Sequence, residues 1–435
     1  MDTSAAIAFS RFGLGRRRGE QVPADARAWL LSQLYGPDTA PSGPTTAEAL
    51  ALLYNIVHMD KSAYPDIKQA PLVLQFNELE KTENAAFLAQ ALTTPNGFRE
   101  RLVWFWFNHF TVAAKDRPAR ACLGAYIREA IRPNVTGRFS DMLLAVMRHP
   151  AMLAYLDQNT SVGPDSAVGE RKHRGLNENL ARECLELHTV TPASGYTQQD
   201  VTNFAKVLTG WTYTVDPQNG GFVYHAQAHE PGEHEVLGRM WPEGEQGGVQ
   251  LLQYLAQHPA TYRHLATKLA CHFIADEPSQ QDVRHLEAVL RNTNGDLGAT
   301  AHAIVELQSA WAPLTKLRTP QEYVIAVMRA VGANPVYEPQ LPNLLRSLGQ
   351  PLFGAPFPIG WPDRAPDWAG SEAILQRVDF AYSFAGRVTD QEPAEVANQT
   401  LGPLLADDTL QQIRSAGSRR DGLTLLLACP EMQRR

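Results

Sequence analysis

The sequence is poor in cysteine. Cys122, Cys184, Cys271 and Cys429 are its only four, scattered over 435 residues with no CxxC. That excludes a zinc ribbon, a thioredoxin-type redox motif and c-type haem attachment as sequence signals. Four are also too few for a disulfide scaffold. Long apolar runs are missing as well. Leu102 to Phe107 stops at Asn108-His109, far short of the ~18–20 residues that span a bilayer, so no transmembrane segment is expected. Positive charge is not in excess: the net charge is −7 and the pI about 6.0. Nucleic-acid-binding domains usually exceed a pI of ~9, so no nucleic-acid partner is expected. Lysine is scarce, and 31 of the 39 basic residues are Arg.

Several catalytic signatures are absent too. There is no GxxxxGK[ST], no GxGxxG after a strand, no GxSxG and no DDxxD, and Asp407-Asp408 lacks a third acid. Nucleotide-driven, Rossmann redox, α/β-hydrolase and ordinary terpene-cyclase chemistry therefore lack support. Met1 to Ser4 shows no basic region leading into an apolar stretch, so the chain as written reads as cytoplasmic, without a secretory signal.

What is present is helical. Apolar residues make up 44% and charged residues 20%, a globular composition. Ala26, Leu30 and Leu34 form an i, i+4, i+8 stripe, and similar spacing recurs along the chain. Helices are predicted over Ala47 to Met59, Glu78 to Leu92, Phe98 to Phe110, Leu176 to Leu187, Thr261 to Ile274, Pro320 to Val331 and Glu372 to Ala385, among others. Ser140 and Thr197 read as N-caps. Residues 159 to 175 read as a loop or lid. Strand-type alternation is nearly confined to 213–240. The expected fold is all-α: a large multi-helix single body with long irregular loops and at most a small β-hairpin. The expected unit is 1–435, with a possible subdivision into 1–210 and 245–435 around the irregular segment 211–244.

Several blocks resemble a bacterial family known as domain of unknown function 1800. They begin at Arg11-Phe12-Gly13-Leu14-Gly15 and Trp104-Phe105-Trp106-Phe107-Asn108-His109-Phe110. They are strongest at His149 to Asp157 and at Asn177 to Thr189. Thr209-Gly210-Trp211, His258-Pro259-Ala260-Thr261, Leu348 to Phe353 and Gly360-Trp361-Pro362 continue the match. The resemblance implies no set activity. It implies an exported setting, because members are often encoded beside an exported alkaline-phosphatase-like protein, which is thus the candidate partner. Cys184 departs from the family's usual Leu. Thr189 to Gly195 replaces a glycine-rich run.

Several constellations carry candidate chemistry. Glu178, Arg182 and Glu186 stand at i, i+4, i+8 beside Asn179 and Glu183. Such a face either forms an ion-pair ladder or does acid–base work with the Arg holding a carboxylate ionised. Asp157 either caps a helix end or joins Glu178 and Glu183 as one of a carboxylate pair. Asn108 and His109 interrupt an aromatic helix. There the imidazole is either a satisfied core residue or a base in an aromatic-walled pocket. His225, His229 and His234 cluster in an irregular segment. A divalent metal could be held by Glu183, Glu186, His188 and His229. The aromatic run 350–370, with Phe353, Phe357, Trp361 and Trp368, is either a core plug or a platform.

The expected catalytic residues are Asp157, Glu178, Glu183 and His109. The expected substrate contacts are Arg182, Asn108, Asn179, Trp106 and Trp211. These features support two functions. One is an enzyme with an aromatic-lined, carboxylate-rich pocket, metal-assisted or not, that hydrolyses or eliminates on a glycan, peptide or related substrate. The other is a non-catalytic partner or maturation factor of the alkaline-phosphatase-like neighbour.

Overall fold

The computed structural model describes residues 1–173, 175–333 and 340–435. Among them are twenty-three α-helical segments and two small antiparallel two-stranded sheets. The mainly helical reading stands. The irregular segment holds two hairpins rather than one. β1 (Trp211–Thr214) pairs with β2 (Gly221–Tyr224), and β3 (His234–Val236) pairs with β4 (Arg239–Trp241).

Helices start where side chains satisfy the free N–H groups of the first turn. Thr197 and Asp200 form a capping box for Gln198–Leu208, and Thr319 and Glu322 do so for Pro320–Val331. Ser140 is not a cap. The Phe139–Arg148 helix begins earlier, and Phe139 N donates to Gly295 O at 2.8 Å. A tertiary contact sets that start, which local sequence cannot show. Leu176 to Leu187 also differs. Its α-helical part is only Asn179–Glu183, continued by a π turn over Cys184–His188. A π turn inserts an extra residue and rotates the residues beyond it about the helix axis. The i, i+4, i+8 face expected for Glu178, Arg182 and Glu186 is therefore broken.

One buried apolar cluster runs from Ala8 to Met432. Its centre joins distant segments. Phe12 meets Phe98 at 5.4 Å, and Phe273 meets Phe98 at 5.7 Å and Phe105 at 6.4 Å. The arginine excess has a use here. Arg11 donates to the carbonyls of Ala310 and Ala312 at 2.6 and 2.7 Å. Arg329 reaches Gly15 O and Ala91 O at 2.7 and 2.8 Å. A planar guanidinium can clamp several carbonyls at once, which an ammonium does poorly.

The stretch 159–175, read as a lid, is held down over its described part. Gly163 N donates to Ala228 O at 2.9 Å, and Asp165 N donates to the buried Glu230 carboxylate at 3.0 Å. A side chain at Gly163 would meet Glu230 N at 2.5 Å, so only glycine permits this approach.

Candidate active site

The Pro259–Phe273 helix is capped by His258, whose Nδ1 accepts from Ala260 N at 3.2 Å. Leu265, Ala266, Leu269, Ala270 and Phe273 face the core. His264, Lys268 and His272, at i, i+4 and i+8, share another face and line a cavity of ≈ 490 Å³. Its apolar wall comes largely from the aromatic Gly97–His109 helix through Trp104, Phe105 and Phe107, and from Phe353 and Trp361 of the 350–370 run.

Asp363 lies just past the Trp361-Pro362 pair of that run. Its Oδ2 lies 2.7 Å from His272 Nδ1. A carboxylate can only accept, so Nδ1 carries the proton and Nε2 is left as the acceptor. Nε2 has no hydrogen-bond partner and is shielded from water. Burial lowers the His272 pKa to about 4 despite Asp363, so the ring is neutral at pH 7.

Asp363 also accepts from Arg435 Nη2 at 2.7 Å. Arg435 Nε reaches Glu322 Oε2 at 2.9 Å, and the other Glu322 oxygen pairs with Arg101. Lys316 Nζ bonds Asp276 Oδ1 at 2.5 Å and Asp363 O at 2.6 Å. Burial alone would raise the Glu322 and Asp363 carboxyls. The cations around them more than offset it and hold both below the usual carboxylate range.

Lys268 differs from these cations. It has no hydrogen-bond or ion-pair partner among the described residues, and burial lowers its ammonium pKa to about 8 against the pull of Asp363. The neighbouring imidazoles are neutral. His264 falls to about 4 and His188 to about 3, both mainly by burial and then by the charge of Lys268. His109 Nε2 donates to His188 O at 3.2 Å, and His264 Nε2 to Leu187 O at 2.9 Å.

A second, more polar groove of ≈ 770 Å³ lies on the other side of Leu352 and Phe353, which line both spaces. Asp157, Asn179 and Glu183 line it, with Tyr155 and Lys115. Asp157 sits in a left-handed turn at φ 56° and pairs with Lys115 at 3.6 Å. Glu183 is half-buried, and its carboxyl is raised by burial and then by Glu186, against Arg182.

The family model described as protein of unknown function (DUF1800) matches residues 7–434. The chain belongs to this family. No curated protein and no solved structure matches it. In this DUF1800 chain the matched sequence blocks supply scaffold as well as cavity. Trp106 is 1% exposed among Phe105, His109, Phe110 and Phe139. Trp211 is fully buried, and a side chain at Gly248 would meet its ring at 2.6 Å. Neither tryptophan is at the cavity or groove wall, so the structure places both expected substrate contacts in the core.

The other expected residues are divided. His109 and Asn108 line the aromatic cavity, but Asn108 uses its amide on the loop. Nδ2 donates to Trp361 O at 2.9 Å, and Oδ1 accepts from Trp361 N at 2.8 Å. Asp157, Asn179 and Glu183 line the groove. Glu178 lines neither space. It pairs with Arg182 at 2.7 Å and accepts from Thr202 and Gln198 at 2.7 and 2.9 Å, and these bonds, Thr202 first, lower its carboxyl. Arg182 makes no salt bridge to Glu186 among the described residues, so the three-member ladder does not form.

The expected divalent-metal site is not assembled. Among the described residues no group of three or more His, Cys, Asp or Glu side chains could hold a metal ion. His229 has both nitrogens engaged, Nδ1 with Thr209 O and Nε2 with Gly244 N, each at 2.8 Å. Both His188 nitrogens are buried without partners. Among the described residues Glu183 and Glu186 gain no imidazole partner.

Sequence reading missed Lys268, His272 and Asp363. The spacing of His264, Lys268 and His272 was visible. Asp363, 91 residues beyond His272, was not a partner that spacing could reveal.

Proposed function

We propose that this protein is an enzyme of acid–base chemistry, hydrolysis or elimination, acting in the aromatic cavity rather than through the carboxylates of the groove. One observation carries the reading. His272 is neutral, its tautomer is fixed by Asp363, and its Nε2 is left without a partner in a cavity wall that also holds Lys268. Such a pair supplies a base whose protonated form the carboxylate stabilises. Use of Nε2 requires the contacts that shield it to open when a substrate enters. Small-molecule sites have volumes of roughly 300–1,000 Å³, and this cavity falls within that range. It suits a compact substrate or the end of a polymer.

The test is a screen of the purified protein against chromogenic esters, amides, glycosides and elimination substrates. For any substrate turned over, His272→Gln is expected to lower kcat about 10²–10⁴-fold. Unchanged turnover in a folded variant rejects the reading.

A second reading rests on a surface. Leu375, Val378 and Tyr382 are exposed at i, i+3 and i+7 on the Ser371–Ala385 helix, with Leu425 exposed on a neighbouring helix. An apolar stripe of this kind favours a protein partner, such as the alkaline-phosphatase-like neighbour. Co-purification that Leu375→Glu abolishes would support it.

A further inference from the structure

Lys268 sets a charge problem that the described residues do not solve. Lys268 is only part-buried, but it lines the cavity beside its aromatic wall, and a charge held against an apolar wall favours a counter-ion. The nearby carboxylates are already engaged: Glu322 with Arg101 and Arg435, Asp363 with Arg435 and His272, and Asp276 with Lys316. Arg318 adds another buried cation beside them, its guanidinium donating to Met432 O at 2.9 Å. The network thus has no carboxylate left for Lys268. Arg364 and Asp367 also line the cavity, but both are exposed and of opposite sign. The four imidazoles are neutral at pH 7, so they neither compete for an anion nor supply a second positive charge at depth.

We propose that the cavity binds a small organic monoanion, a carboxylate with a flat apolar body, with its charged end on Lys268 and its body against the aromatic wall. The ligand supplies the counter-ion that the chain lacks. Phe105, Phe107 and Trp361 line the wall against which a ring or planar group would pack. One ammonium matches a single negative charge better than the double charge of a phosphate. The inference rests on the enzyme reading in that both use this cavity, but its readout is binding rather than turnover.

The test is calorimetric titration of the full chain at pH 7 with benzoate, its neutral relative benzamide, and inorganic phosphate. Benzoate is expected to bind about tenfold or more tighter than benzamide. Lys268→Met is expected to erase that preference without lowering Tm, because it removes an unpaired charge from an apolar cavity wall. Lys268→Arg should retain part of the preference. Equal binding of benzoate and benzamide, binding of neither, tighter binding of phosphate, or a preference that survives Lys268→Met would each overturn the proposal. If turnover depends on His272 while the benzoate preference is absent, this inference fails alone. If the preference holds but no His272-dependent turnover is found, the enzyme reading fails alone.

Discussion

The aromatic cavity and the carboxylate groove share a wall, Leu352 and Phe353, yet they treat charge in opposite ways. In the groove, Asp157 is 44% exposed and its Lys115 partner 60%. Such a pair is worth about 0–1 kcal/mol, and solvent can replace either member. At the cavity, the lining residue Glu322 pairs with Arg101 and Arg435 behind it, each at most 5% exposed, and these partners come from distant parts of the chain. Carboxylates close together in sequence drew attention to the groove. His272 Nε2 and Lys268, without partners among the described residues, are at the cavity. A polar group left unpaired at a cavity wall marks a candidate site better than a dense run of charge.

The sharpest way to break this comparison is to mutate one base on each side. His272→Gln is expected to cost about 10²–10⁴-fold in kcat, while Glu183→Gln stays within about threefold. The reverse order would move the chemistry to the groove. Stability separates the regions next. Glu322→Ala should cost about 3–5 kcal/mol in urea unfolding, because it strands Arg101 and Arg435. Glu178→Ala should cost no more than about 1 kcal/mol, as its partners remain partly solvated.

Asn108→Ala lies between these. It removes two hydrogen bonds to Trp361 and should cost about 1–3 kcal/mol. Trp361 fluorescence should also change as the loop loosens.

The two regions also differ in pH dependence. Lys268 has a folded pKa lowered to about 8, so between about 8 and its ordinary ~10.4 the unfolded chain binds the extra proton. Stability should therefore gain a rising component over that window, and Lys268→Met should remove it. Glu183 has the opposite character. Its raised folded pKa penalises the ionised form, so Glu183→Gln should be as stable as the parent or slightly more so at pH 7. That difference should shrink as pH falls through the carboxylate range. Denaturant midpoints measured across pH would check both.

Much of the fold was legible because its signals are local. Thr197 with Asp200 and Thr319 with Glu322 state their helix starts outright. Pro320–Val331 has the bounds its pattern predicts. The errors arise where distant residues decide. Phe139 begins its helix on Gly295, not on Ser140. The π turn at Cys184–His188 obeys no periodicity that the residues display. Thr3–Ile7 with its π continuation was not anticipated, although Ala5, Ala6 and Ile7 are buried. The candidate site was only half legible. Asn108 and His109 stood out as polar groups in an aromatic helix, whereas Lys268 and His272 looked like an ordinary polar face until Asp363 and the cavity were in place.

The π turn at Cys184–His188 has one more consequence. The carbonyls of Leu187 and His188 accept from the Nε2 atoms of His264 and His109. A carbonyl can only accept, so each ring must hold its proton on Nε2 and keep its lone pair on Nδ1. Together with the Nε2 lone pair of His272, this gives the region a direction. Its imidazoles offer acceptors, and Lys268 offers donors. A carboxylate guest therefore finds its complement only at Lys268, and the same molecule turned end for end would set its oxygens against imidazole lone pairs.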